Sequence, residues 1–100
     1  MIFCLSILTY AQTPQDRATE LKNQAQSSLN QKDYIKARYL FKKAYEAFAA
    51  RENYPQAIEC GVQANALYVR ENFYKEGFEL CRDMDQLIWT GEQNQKKVFY

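Results

Sequence analysis

Histidine is absent from the chain. Its absence removes the commonest general base, the usual nitrogen ligand for a metal, and every Ser–His or Cys–His nucleophile. Glycine is scarce, at three residues, and proline scarcer, at two. That scarcity argues against a turn-rich β sandwich. Neither sign of charge dominates: 13 basic residues meet 12 acidic ones, interspersed, for a net of +1. Such a balance leaves no electrostatic footprint for nucleic acid or an anionic membrane surface. The one conspicuous apolar run, at the amino terminus, is far too short to span a bilayer as a helix.

One hundred residues, 47% apolar and 25% charged, suit one modest globular domain. Ala, Gln, Lys, Glu and Leu are plentiful, and these residues favour helix. Met1 to Ala11, MIFCLSILTYA, is different in kind, since it carries no charge. Ile2, Phe3, Leu5, Ile7 and Leu8 make a short apolar core, and Thr9-x-Ala11 resembles the small-x-small end of a secretory leader. No Lys or Arg precedes the run, so a leader that packs on the domain stays open as the alternative. Cleavage after Ala11 would start the mature chain just before a helix start. Thr13 is placed as N-cap, Pro14 at the first helical position and Asp16 as the capping-box acid.

The rest of the chain beats at twenty residues. Tyr34-x-x-Ala37 returns as Tyr54-x-x-Ala57 and as Tyr74-x-x-Gly77. Each opens an apolar stripe at helical spacing: Tyr34, Ala37, Phe41, Ala44, Phe48; then Tyr54, Ala57, Gly61, Ala64, Tyr68; then Tyr74, Gly77, Cys81, Met84, Ile88. Ala18, Leu21, Ala25 and Ser28 carry it more weakly. The stripes predict helices over about 14–30, 34–51, 54–70 and 73–89, with Gly91 as a C-terminal cap and a fifth helix starting near Glu92. Asp33 and Asn53 are the N-cap candidates. Short breaks predict antiparallel neighbours. Gly61 and Gly77 each cost roughly 1 kcal/mol of helix propensity mid-stripe, which points to a packing role.

Asp33-Tyr34-x-x-Ala37-x-x-x-Phe41-x-x-Ala44 resembles the turn and second helix of a tetratricopeptide repeat. Leu21 and Ala25 match its first helix, and Tyr68, Tyr74 and Gly77 repeat the pattern forty residues on. The resemblance covers about 18–90. It implies an all-α fold of antiparallel helical hairpins, about 14–51 and 54–89, stacked as a right-handed solenoid. By this division residues 1–11 are the leader, 12–90 hold two repeats, and 91–100 start a further helix. Such arrays usually need about three repeats. Residues 92–100, EQNQKKVFY, end on an aromatic pair with no polar cap, so further repeats or a partner are expected on that face.

The resemblance also implies a peptide groove along the first helix of each unit. It points to Lys22, Gln26 and Leu29, then Val62, Ala66, Val69 and Arg70. The function it implies is a non-enzymatic scaffold binding a peptide or protein segment, without cofactor, and the leader adds an exported, periplasmic or extracytoplasmic location. The competing reading is the sensory input region of a longer membrane-spanning signalling protein, such as a sensor histidine kinase, tied to the membrane only through a downstream segment. A small enzyme is the third.

Other features carry less. Cys60 and Cys81 remain after leader removal, but their positions in an antiparallel hairpin are offset by roughly 6 Å along the axis. Free thiols are expected. Asp83, Asp85, Glu76 and Glu79 make an acidic face, and Lys42-Lys43 and Lys96-Lys97 are short basic doublets; both suit a solvated surface. Tyr39 and Tyr45 are less clearly inward than the other tyrosines. The leader reading predicts that the full chain, expressed in a bacterium, yields a product whose intact mass begins at Gln12. A product retaining residues 1–11 would overturn that reading.

Overall fold

The computed structural model describes the backbone of residues 14–99 and the side chains of residues 17–92. Four helices occupy this span: α1 (Pro14–Asn30), α2 (Tyr34–Ala50), α3 (Tyr54–Arg70) and α4 (Tyr74–Phe99). The described residues contain no strand. Each helix packs against the next in sequence. The leader, 1–11, and Thr13 lie outside the described residues, as does the Asp16 side chain.

The twenty-residue beat is a seventeen-residue helix plus a three-residue turn, repeated. All three turns are built alike. Asp33 N–H donates back to the Ser28 carbonyl and Lys32 N–H to that of Leu29, at 2.9 Å each. Asn53 and Glu52 repeat the pair on Phe48 and Ala49, and Phe73 and Asn72 repeat it on Tyr68 and Val69. This is the Schellman arrangement, which satisfies the orphan carbonyls at a helix end. Its last bond comes from the residue that starts the next helix. Asp33, Asn53 and Phe73 accept the first helical bonds from Ala37, Ala57 and Gly77 through their own carbonyls. Asp33 adds a side-chain cap, its Oδ1 accepting from Lys36 N–H at 3.3 Å, whereas the Asn53 side chain makes no cap bond.

The Schellman turn needs one left-handed residue, ordinarily glycine. Here Lys32, Glu52 and Asn72 take that role, at φ of 63°, 60° and 66°. Asn tolerates the region; Lys and Glu are strained there by roughly 1–2 kcal/mol each.

Burial follows the predicted stripes in α1, α2 and most of α3. Ala18, Ala25 and Ser28 are buried on α1, and Ala37, Phe41, Ala44 and Phe48 on α2. α2 also buries Leu40 and Tyr45, because α1 and α3 press on it from two sides. Tyr45 is thus core, while Tyr39 is 59% exposed.

α4 departs from expectation twice. Its inward stripe is Gly77, Leu80, Met84, Leu87 and Gly91, while Tyr74 and Ile88 stand 62% and 46% exposed. The predicted and observed stripes share Gly77 and Met84 and differ by a rotation of the helix. Among the described residues α3 is the helix that packs extensively on α4, and it sets which stripe turns inward. The second departure is Gly91, which does not end the helix. No glycine has positive φ, and α4 runs on to Phe99. A Cβ at Gly91 would stand 3.2 Å from Tyr54 Cδ2, so this glycine admits a ring rather than a turn.

Replacing Glu52 by glycine relieves left-handed strain, offset in part by a more flexible unfolded chain. The net gain is about 0.5–1 kcal/mol, a rise in Tm of roughly 2–8 °C for a domain this size. A lower Tm for Glu52→Gly by calorimetry would contradict the turn geometry.

Candidate interaction surface

α1 and α3 are joined side by side through one amine. Lys22 Nζ donates to Gln56 Oε1 at 2.8 Å and pairs with Glu59 Oε1 at 3.0 Å. Lys22 and Glu59 keep side-chain exposures of 26% and 56%, so the bridge is partly screened and serves mainly to set position. Lys22 is therefore already partnered within the fold. Gln26 lies one turn further along α1, exposed, and its amide donates to Asn30 Oδ1 at 3.3 Å. Leu29 turns inward and packs against the core.

The α3 members of the predicted set share one outward face. Val62, Ala66 and Val69 follow each other at helical spacing, all exposed, with Val62 at 53% and Val69 at 47%. Arg70 ends the row. Its guanidinium lies 4.0 Å from the centre of the Tyr34 ring, so the end of α3 reaches the start of α2. Lys32, Asp33, Tyr34 and Ile35 join Arg70 and Glu71 around a shallow depression there. The structure thus separates the seven predicted residues. Lys22 and Arg70 hold elements together, Gln26 stays on its own helix, Leu29 is mostly core, and the apolar row on α3 is open.

One cluster was not signalled by the sequence. Arg38 on α2 lies 5.3 Å from the Tyr68 ring and 4.8 Å from the Phe73 ring, and its Nη1 is 3.0 Å from Glu71 Oε1. Both of those charged atoms are buried with no hydrogen bond of good angle. At 3.0 Å they are nevertheless each other's partners as an ion pair. Aromatic rings and an opposite charge let a guanidinium sit in a half-buried place. The partners are far apart in sequence, so no local spacing announces them.

The remaining candidates are placed as follows. Cys60 is buried and free; burial pushes its thiol up to about 11, with nearby Lys22 opposing and Glu59 adding to the shift. A thiol held so high is a poor nucleophile. Cys81 is free and half-buried, 3.3 Å from the Asn65 amide. Tyr45 is pushed up to about 12 by burial, then by Asp83 and Glu46. Glu76, Glu79, Asp83 and Asp85 are exposed, and Lys42 and Lys43 share Glu46 at 3.5 and 4.0 Å. Among the described residues no group of three or more Cys, Asp or Glu is placed to hold a metal ion, and no helix is long and apolar enough to cross a membrane.

Family models, curated proteins and solved structures give no match to this chain. The tetratricopeptide resemblance therefore stands on the residues themselves.

Proposed function

We propose that this chain is a non-enzymatic, tetratricopeptide-type interaction scaffold. It takes an extended or helical peptide segment of a partner protein along the outward face of α3. One observation carries the reading: Val62, Ala66 and Val69 form an exposed apolar row on a helix whose other sides are held by neighbours. The Lys22–Glu59 pair supplies polar groups beside α3, and Arg70 closes one end of the row. An apolar strip with polar edges suits a peptide that buries a few side chains and hydrogen-bonds at its margins. Stacking of the two hairpins as a right-handed solenoid belongs to the same proposal. It is supported by the forty-residue sequence repeat and by the Lys22 bridge between the first helices of the two units. An exported location belongs to it too, supported by the uncharged leader.

The test is a display selection of random peptides on the immobilised chain, followed by anisotropy measurements on the enriched sequences. Val62→Asp and Val69→Asp should each weaken binding at least tenfold, about 1.4 kcal/mol. Both positions are exposed, so the melting temperature should hold. Enriched peptides that bind the wild type and both variants equally would remove the α3 row as the binding face.

A further inference from the structure

α4 carries a second apolar stripe that no described residue covers. Tyr74, Phe78, Ile88 and Trp89 stand 62%, 66%, 46% and 62% exposed, with half-buried Cys81 among them. The forty-residue offset between the hairpins shows what kind of surface this is. Tyr74, Phe78, Cys81, Asp85 and Ile88 stand where Tyr34, Arg38, Phe41, Tyr45 and Phe48 stand on α2. On α2 those positions lie under or beside α3: Arg38 meets the Tyr68 ring, and Tyr45 meets Gly61. Phe41, Tyr45 and Phe48 are buried there. The α4 stripe thus repeats the α2 side of the α2–α3 interface, and no helix among the described residues covers it.

The covering helix on α2 has a defined chemistry. α3 is amphipathic and presents Ala57, Cys60, Gly61 and Ala64 inward, small residues that admit the bulky side chains of α2. A helix of the same kind fits α4, whose stripe is bulky except at Asp85, where the occupant must set a polar or basic residue. Depressions flank Ile88 and Trp89 on both sides, one lined by Tyr54, Pro55, Ile58 and Leu87, the other by Asp85, Gln86 and Thr90.

A second copy of this chain fits worse. Pairing α4 with α4 would set bulky residues on bulky residues and bring Asp85 and Glu92 toward their own kind. Pairing α4 with the outer side of α1 fails as well. The α1 residues that match Ala57, Cys60, Ala64 and Leu67 are Arg17, Glu20, Gln24 and Ser27, all polar and exposed. A polar outer face is how a repeat stack is closed at one end. The two ends of this fold are therefore unlike, one closed and one open.

We infer that the Tyr74–Phe78–Ile88–Trp89 face of α4 is a docking site for an amphipathic helix of a partner protein, with small residues along its contact stripe. The site is separate from the α3 row, so either can fail alone.

Trp89 is the only tryptophan of the chain and lies on this face, which makes it a built-in reporter. The probe is a synthetic peptide of residues 54–70, stapled across Val62 and Ala66 on its outward side to hold it helical. Titration into the full chain should shift Trp89 emission to the blue and saturate. A peptide with Ala57, Gly61 and Ala64 all replaced by Gln should give no shift. Phe78→Glu and Ile88→Glu should each weaken the wild-type peptide roughly tenfold or more with the melting temperature retained. No shift, or equal affinity for Phe78→Glu, overturns the proposal; equal affinity would mean that the peptide displaces α3 on α2 instead. A blue shift that follows protein concentration without peptide also overturns it, because a second copy would then be the occupant.

Discussion

The fold turns on a missing methyl group at Gly61. There α2, α3 and α4 meet, and a Cβ would stand 2.5 Å from Met84 Sδ and 3.0 Å from Tyr45 Cδ1. Side chains from both neighbours fill the space that any other residue would occupy. Two further glycines extend the same contact along α4. A Cβ at Gly77 would meet Asn65 Oδ1 at 2.8 Å, and one at Gly91 would meet the Tyr54 ring. All three glycines of the chain thus sit in helices, at the α3–α4 approach. None sits in a turn, where left-handed geometry is required and Lys32, Glu52 and Asn72 supply it. Close packing takes the scarce residue, and the turns carry the strain.

That allocation explains what could be read in advance. Helical spacing of Ala37, Phe41, Ala44 and Phe48 depends on one period and one buried side, so α2 was legible almost to the residue. Gly61 and Gly77 were legible as packing residues because their propensity cost mid-helix demands a return. Gly91 is ambiguous in sequence, because a glycine near a break has the same signature whether it caps a helix or admits a ring. Tyr45 was missed because its burial depends on how many neighbours α2 has. The α4 stripe was misassigned for the converse reason: two helical stripes shared Gly77 and Met84, and the placement of α3 chose between them.

The candidate surface was legible only as a face. Val62, Ala66 and Val69 are exposed together, as their spacing implies. The resemblance puts Lys22 in the groove, yet Lys22 holds α3 through Gln56 and Glu59. Its partners lie one hairpin away, and no local pattern names them. The same holds for Arg38, Glu71 and the two rings beside them. Charged residues that join elements are invisible to periodicity, because periodicity sorts inside from outside and says nothing about who meets whom. What emerges is a row of packed helices with two unlike apolar surfaces: a narrow row on α3 and a broad aromatic face on α4.

The central claim is that contact at Gly61 sets the spacing of α2, α3 and α4. A double-mutant cycle on Gly61→Ala and Met84→Ala, followed by chemical denaturation, tests it directly. Overpacking of roughly 1–3 kcal/mol opposes about 1 kcal/mol of helix propensity gained by alanine, so Gly61→Ala alone should destabilise by about 1 kcal/mol. With Met84 cut back to Ala the obstruction is largely gone, and the same substitution should become neutral or stabilising, a coupling of at least about 1 kcal/mol. Stabilisation by Gly61→Ala in the wild-type chain, with no coupling to Met84, would contradict the account.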